Sequence, residues 1–295
     1  LVTASFSAYC QVERGGVPRS FQELMDLKTA PGPINIPPPD KISILKEDAE
    51  AERLEKSYRV GVEVPVSISS DHAGQWDHLP SGGRIWRVTL KCEGSMAIGL
   101  NYSNIQLQPG SDIFVYTADH SSVIGAITSA EIPDSYNFAT RPLAGDEIVF
   151  EYYEPENHIG QIEIIISGIA YMYRGFEPAV SKSGTSYASG SCNVNVNFEE
   201  GQNWQNQKQG VVKILAKVDT KLFYCTGTIM NNTAQDFSGL LLSAAHCSKD
   251  FGGGNASEGD FAKWIFYFNY ESPGCVTSGS PELSIVGAQN LAVAD

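Results

Sequence analysis

The chain has 295 residues, of which 42% are hydrophobic and 18% are charged. Such a chain can bury a substantial core, and its length predicts two domains. Its formal net charge of -14 at pH 7 argues against partners such as nucleic acid or anionic membrane surfaces, because both would repel it. No uncharged apolar run is long enough to cross a bilayer, so we expect no membrane span.

The first ten residues, 1–10, are mildly apolar and uncharged, and they place small residues at Ala8 and Cys10. This pattern is typical of the end of a secretory signal peptide cleaved before Gln11. Because neither an initiating methionine nor a basic segment precedes it, we expect the sequence to begin inside the signal. A short buried strand is the alternative interpretation. The six cysteines form no Cys-x-x-Cys pair, which favours disulfides in a secreted protein over a zinc site.

Residues 11–57 lack the pattern of a compact domain. Five prolines within 31–39 predict an extended, semi-rigid segment. Asp40 then has the position of a helix N-cap. In the short acidic helix after it, Ile42, Leu45 and Ala49 are predicted to share one face. We expect this segment to wrap along a neighbouring domain.

Residues 58–175 predict an antiparallel β-sandwich of the jelly-roll type. Short apolar segments recur at even spacing, separated by Gly, Pro, Asp and Asn. The predicted strands are 60–66, 84–90, 113–116, 123–127, 148–153 and 162–166.

Two kinds of side chain in this region have both a functional and a structural interpretation. Trp76 and Trp86 would form a sugar-stacking platform if exposed, although packing in the sandwich core or at its rim is the better explanation. The loop histidines and aspartates match no metal-ligand spacing, so we expect solvated loop residues and no metal. These loop residues are His72, Asp77, His78, Asp119, His120 and His158.

Residues 176–189 are rich in Ser, Gly and Ala and predict a linker. Beyond it, 190–295 again has the pattern of strands. The apolar strand Leu240–Ala245 stops at small residues and leads directly into His246 and Cys247. A histidine at the end of a buried strand is held by rigid backbone and can still face a cleft, which suits a general base.

Two spaced motifs give these residues a context. Cys225-Thr226-Gly227, followed by Ala244-Ala245-His246-Cys247, resembles the catalytic-histidine region of trypsin-like serine peptidases. A hydrogen-bonded structural histidine is the alternative for His246.

The resemblance extends over nearly the whole chain. Residues 83–87, 143–148, 151–155 and 173–175 resemble the pro-region of secreted, lysyl-endopeptidase-like serine peptidases of the Bacteroidetes type, and 190–196 and 266–275 resemble their mature domain. It implies an all-β fold class, in which an N-terminal jelly-roll-like pro-domain precedes the first barrel of a chymotrypsin-like fold. The implied segments are a signal remnant at 1–10, a pro-region segment at 11–57, the pro-domain at 58–175, a linker with a processing site at 176–189, and half of the peptidase domain at 190–295.

The same resemblance implies roles for individual residues. His246 would be the general base of a Ser-His-Asp triad acting on protein or peptide substrates without a cofactor, and Cys225 would pair with Cys247. Asp295 is the candidate triad aspartate, with an ordinary loop residue as the alternative. Lys182 is the candidate processing point, and cleavage after lysine is an expectation by analogy. No Gly-x-Ser-Gly nucleophile motif occurs in the 295 residues, so we expect a truncated chain that lacks the second barrel and is inactive as given.

The remaining cysteines have no predicted partner in the chain. In relatives the cysteine at the position of Cys192 pairs with the second barrel, and the one at the position of Cys275 pairs with a position that is Phe198 here. Cys10 would leave with the signal peptide, and Cys92 is expected to be a buried free thiol.

Two other functions stay open from the sequence. One is an exported adhesin or glycan-binding sandwich, in which His246 and Cys247 are structural. The other is a pseudoprotease with the protease fold and no nucleophile. Sequence beyond Asp295 distinguishes both from a peptidase.

Overall fold

The structure, a computed structural model, describes residues 2–6, 13–22, 27, 32–103, 105–132, 137–175, 194–236, 238–271 and 283–292. Its contacts divide the chain into two compact units. The first unit comprises Leu1–Ala8, Leu45–Gly61 and Arg174–Asp295, and the second comprises Tyr9–Ile44 and Val62–Tyr173. One boundary between the units lies between Tyr173 and Arg174, and Leu45–Gly61 groups with the C-terminal region. The predicted domain division stays a prediction.

The chain is mostly β-sheet, as the all-β prediction expects. The strands are β1 Val2–Phe6, β2 Ile34–Asn35, β3 Arg59–Ser69, β4 Gln75–His78, β5 Arg84–Lys91, β6 Ala97–Tyr102, β7 Asp112–Thr117, β8 Val123–Ile127, β9 Phe138–Ala139, β10 Leu143–Ala144, β11 Glu147–Glu154, β12 Ile165–Met172, β13 Val211–Val218, β14 Lys221–Met230, β15 Gly239–Ser243, β16 Ile265–Phe268, β17 Ser284–Val286 and β18 Gln289–Ala292. The α-helices are α1 Arg19–Gln22, α2 Lys41–Arg53, α3 Gln205–Lys208 and α4 Glu258–Phe261. Short 3-10 helices span Glu156–His158, Glu199–Trp204 and Ala245–Ser248.

The second unit contains two groups of paired strands. One has the order β2-β5-β11-β7-β8, with β4 also paired to β5, and the other contains β10, β6 and β12 in that order, with β9 paired to β6. Aromatic rings join the two groups: the ring of Tyr102 in β6 lies 5.9 Å from that of Phe150 in β11, between centroids. Trp86 in β5 packs on the same phenylalanine at 5.3 Å. The jelly-roll assignment of this unit stays a prediction.

Strand β6 is not among the strands that the sequence predicts. All six of its residues are buried, so it lacks the polar–apolar alternation that marks a half-buried strand. It also contains Gly99, where an added Cβ would lie 2.9 Å from the carbonyl oxygen of Thr140. The strand predicted at 162–166 is wrong in its bounds, because β12 begins at Ile165 and continues to Met172.

Helix α2 confirms the predicted cap and corrects the predicted apolar face. The Asp40 carboxylate accepts hydrogen bonds from the backbone N–H groups of Ile42 and Ser43, at 3.1 and 3.2 Å. Ile42 itself is 84% exposed. The helix instead buries Asp48 and Ala51, and Asp48 is buried because its carboxylate binds the Arg59 guanidinium at 2.8 Å.

The structure contains a nearly closed barrel, and we assign it to the strands of the first unit. Its strands are paired in the order β17-β16-β13-β14-β15-β1-β18. Only Gly287 and Ala288 separate the two terminal strands along the chain, which brings the ends of the sheet together. The stretch predicted as a signal-peptide remnant forms β1, antiparallel to both β15 and β18, so a strand lies there, as in the alternative interpretation. Cleavage before Gln11 falls outside the described residues.

The core of this barrel is built by alternation along its strands. Val212, Ile214 and Ala216 of β13 are 0% exposed and pack with Leu241 of β15, because every second residue of a strand points to the same face. Trp264 closes this core, and its indole N–H donates to the Lys217 carbonyl oxygen at 2.8 Å.

Two further predictions concern the second unit and the membrane. Cys92 is a free thiol with 0% exposure, which confirms the prediction, and burial raises its pKa to about 11. None of the helices in the described part of the chain is long and apolar enough to cross a membrane.

Candidate catalytic histidine

His246 lies directly after the end of a barrel strand. Strand β15 ends at Ser243, Ala244 follows in an extended conformation, and a single 3-10 turn spans Ala245–Ser248. The Cys247 N–H donates to the Ala244 carbonyl oxygen at 3.0 Å, and the Lys249 N–H donates to that of His246 at 3.1 Å. The small residues before the histidine therefore form a tight, hydrogen-bonded turn at the rim of the barrel.

The side chain of His246 is exposed, whereas both residues after it, Cys247 and Ser248, are buried. Within the part of the chain that the structure describes, the imidazole forms no hydrogen bond. A structural histidine satisfied by neighbouring polar groups is therefore not what these residues show. An exposed ring on a fixed backbone is available both to a substrate and to an orienting carboxylate.

A disulfide holds this turn against the neighbouring strand. It joins Cys247 to Cys225 of β14 across a sequence separation of 22, the two cysteines that the resemblance pairs. Cys247 is 3% exposed and belongs to the apolar core of the barrel. A ring nitrogen of His246 and both sulfur atoms lie within 4.8 Å of one another. Because the sulfur atoms are covalently bonded, this group is not a metal site.

The glycine of the Cys-x-Gly motif has a packing function. A Cβ added at Gly227 would lie 2.6 Å from Leu241 Cδ2 and 3.1 Å from Ile214 Cδ1. Gly227 pairs with Ser243, the last residue of β15. A larger residue here would therefore push away the strand that ends at the histidine turn.

A buried ion pair joins β13 to α4 in the same unit. The Lys217 ammonium contacts an Asp260 carboxylate oxygen at 2.7 Å, with the two side chains 8% and 10% exposed. The other carboxylate oxygen accepts from the backbone N–H and hydroxyl of Ser257 at 2.9 and 2.8 Å, in a capping box at the start of α4. Burial alone would raise the pKa of Asp260, but the hydrogen bonds from Lys217 and Ser257 outweigh it and lower that pKa.

The segment Leu45–Gly61, from the predicted pro-region, also belongs to this unit. The Ser57 hydroxyl donates to the carbonyl oxygen of His246 at 3.4 Å. The guanidinium of Arg59, which is 2% exposed, lies 5.0 Å from the ring centroid of Phe251. In the sequence, the acidic helix is the feature that indicates packing of this segment against a neighbouring domain.

Several predicted residues lie outside the described part of the chain. They are Asp295, Lys182, Cys10, Cys192 and Cys275. Their predicted roles stay predictions.

Comparison with known proteins gives this geometry a family context. The profile of the family described as "Lysyl endopeptidase, C-terminal domain" matches residues 186–294. The chain is also 23% identical over 185 residues to the lysyl endopeptidase of Pseudomonas aeruginosa. This alignment covers 60% of this chain and 40% of that protein. The chain therefore spans less than half of that relative's length. No solved structure matches the chain significantly. These matches support a relation to the lysyl-endopeptidase-like family.

Proposed function

We propose that this chain belongs to a secreted serine endopeptidase of the lysyl-endopeptidase type and that His246 is its general base. One observation carries the proposal: an exposed imidazole at the end of a buried barrel strand, fixed by a disulfide, inside the region that matches the lysyl endopeptidase profile. In this role, one ring nitrogen would take the proton of a serine hydroxyl and later return it to the leaving amine. Both the exposure of the ring and the rigidity of its backbone suit that exchange.

The other members of the triad and the processing step are part of the proposal. Asp295 would accept a hydrogen bond from the second ring nitrogen and stabilise the imidazolium. Residues 11–175 would be a pro-region, and cleavage after Lys182 would release the peptidase domain as the precursor matures. The packing of Leu45–Gly61 in the same unit as His246 supports a pro-region that remains bound to the barrel before cleavage.

The adhesin alternative is less well supported than the peptidase. Trp86 is 0% exposed, and its indole N–H donates to the Ala73 carbonyl oxygen at 2.7 Å. The guanidinium of Arg84 lies 3.8 Å from the ring centroid of Trp76 and covers one face of it. The two tryptophans thus do not form the open aromatic platform that sugar stacking requires.

The test is to extend the reading frame beyond the codon for Asp295 and to express the protein that it encodes. A serine peptidase requires a Gly-x-Ser-Gly segment there and hydrolysis of lysyl p-nitroanilide peptides. We expect His246→Ala to lower kcat by 1000-fold or more, because removing the base leaves only substrate binding and oxyanion stabilisation.

His158→Ala is the control for expression and folding of the precursor, since this half-buried histidine lies in a short 3-10 helix of the second unit and should leave kcat unchanged. Asp295→Asn separates the triad role from a loop role, because loss of the orienting carboxylate costs about 10,000-fold in kcat. An extended protein that hydrolyses no peptide, or one in which His246→Ala keeps full activity, contradicts the proposal. N-terminal mass analysis of the mature product checks the cleavage after Lys182.

A further inference from the structure

A cavity of about 420 Å³ lies in the first unit. Val211 and Lys213 of β13 line it. The alternate residues of the same strand, Val212 and Ile214, point into the barrel core. The cavity is therefore on the face of the sheet opposite the core. Cys225, which is bonded to the cysteine after His246, also borders it.

Lys213 is held between two aromatic rings in this cavity. Its Nζ atom lies 3.7 Å from the ring centroid of Tyr224 and 3.8 Å from that of Tyr270. Within the described residues, the ammonium forms no ion pair and no hydrogen bond. The ring faces attract a cation but bring no negative charge. Burial consequently lowers the pKa of Lys213 to about 8.

The other charges of the lining neutralise one another. The Lys208 ammonium contacts a Glu271 carboxylate oxygen at 2.9 Å and the Asn197 side-chain oxygen at 2.9 Å. Lys213 therefore supplies the one net positive charge of the three charged lining residues. Thr226, its partner in the β13–β14 register, and Asn269 add polar groups to the lining.

We infer that this cavity is a binding site for a carboxylate group, for which the Lys213 ammonium is the counterion. The carboxylate would come from an acidic side chain or from the C-terminus of a peptide. A single compensating charge suits a monoanion, and Glu271 would repel the second charge of a phosphate. The rings fix the lysine side chain before the ligand arrives, which reduces the entropy lost on binding. The inference goes beyond the peptidase proposal and does not require it.

Binding of this kind is linked to protonation. A carboxylate beside the ammonium stabilises its charged form and raises the pKa of Lys213 from about 8. Affinity should therefore be constant between the pKa of the peptide carboxyl group and pH 8. Above it, affinity should fall by up to about tenfold per pH unit, because binding must take up a proton.

The experiment compares four blocked tripeptides with the full 295-residue chain by isothermal titration calorimetry. Acetyl-Ala-Asp-Ala-amide is matched by its Asn analogue, and acetyl-Ala-Ala-Ala with a free C-terminus is matched by its amide. We expect binding of one or both carboxylate peptides and not of their neutral analogues. The peptide that binds identifies the source of the carboxylate. In NMR spectra of the chain labelled with ¹³C at lysine Cε, the Lys213 signal should titrate near pH 8. The midpoint of this titration should move to higher pH when peptide is bound.

Lys213→Met keeps the length of the apolar side chain and removes the charge, so it should weaken binding about tenfold or more. Lys221→Met is the matched control, because Lys221 belongs to the next strand but pairs with Asp250 at 3.4 Å outside the cavity lining. Equal binding of the Asp and Asn peptides together with no preference for a free C-terminus overturns the inference. So does an unchanged affinity in Lys213→Met, or tighter binding of inorganic phosphate than of any carboxylate. The labelled-lysine titration on the unmutated chain tests the site even if the variant fails to fold.

Discussion

Removing the disulfide beside His246 tests whether the barrel fixes this turn covalently. The bond closes a loop with a sequence separation of 22. In the chain-entropy description, such a loop removes about 11 cal/mol/K from the unfolded chain, which is about 3 kcal/mol at 25 °C. Replacing both Cys225 and Cys247 by alanine should therefore lower the free energy of unfolding of the first unit by about 3 kcal/mol. The small cavity left at the buried Cys247 adds to this loss.

Hydrogen exchange read by mass spectrometry reports the stability of each unit separately. For amides of β14 and β15 that exchange through unfolding of the whole unit, a loss of about 3 kcal/mol corresponds to an increase in exchange rate of about two orders of magnitude. Amides of β11, in the second unit, should exchange as before. Reduction of the unmutated chain should have the same effect. Cys92→Ala is the control, because it removes a buried free thiol and opens no loop.

The result that refutes this reasoning is equally specific. If the double variant protects β14 and β15 as well as the unmutated chain does, the loop is constrained by packing alone. The disulfide would then not be what positions the histidine turn, and the structural part of the catalytic proposal would lose its main support.

Three further predictions concern the same unit and can be checked by urea denaturation. Asp260→Ala should cost about 3–5 kcal/mol, because it removes the carboxylate that compensates the charge of the buried Lys217 ammonium, and the double change Lys217→Met with Asp260→Leu should recover most of that loss. The pKa of Asp260 is lowered in the folded chain. Its contribution to the free energy of unfolding is therefore present above the unfolded pKa of 3.8 and is lost as pH falls through the folded pKa. Absence of this loss in the Asp260→Ala variant supports the assignment. Gly227→Ala should cost about 1–3 kcal/mol by overpacking, whereas Gly259→Ala in α4 should be neutral or stabilising; equal effects at both glycines would contradict the close approach to Leu241. Lys213→Met should raise stability at pH 7 by about 1–2 kcal/mol, allowing for solvent screening. That gain should disappear between pH 8 and 10.5, the window in which the unfolded lysine holds a proton that the folded one has lost; a gain independent of pH would exclude desolvation as its cause.

The predictions from sequence that succeeded depended on local patterns. Short apolar segments bounded by Gly, Pro, Asp and Asn gave the positions of β5, β7, β8 and β11. The end of the Leu240–Ser243 run located the histidine turn in the same way. Strand β6 is interrupted by Gly99 and Asn101, residue types that are typical of turns. A short apolar run without alternation cannot be distinguished by its sequence pattern from a buried turn or helix.

Other features depended on partners distant in the chain, and local patterns carry no information about them. Asp48 is buried because Arg59 and Arg174 bind its two carboxylate oxygens at 2.8 and 3.3 Å. From the sequence, the same aspartate belongs to the solvated face of an acidic helix. Likewise, the sequence gives no signal that Lys213 borders a cavity, because both rings that surround it come from other strands or loops of the unit.

The alternation of β14 also separates the two sites of the first unit. Cys225 and Gly227 pack against the core, where the first bonds to Cys247 and the second admits Leu241, although Cys225 also borders the cavity. Tyr224 and Thr226 face the cavity with Lys213. Because the two pairs point to opposite faces of one strand, reducing the disulfide should leave the Lys213 titration near pH 8 as long as β13 and β14 stay paired. Carboxylate binding and catalysis by His246 are therefore independent hypotheses, and a chain that fails one test can still pass the other.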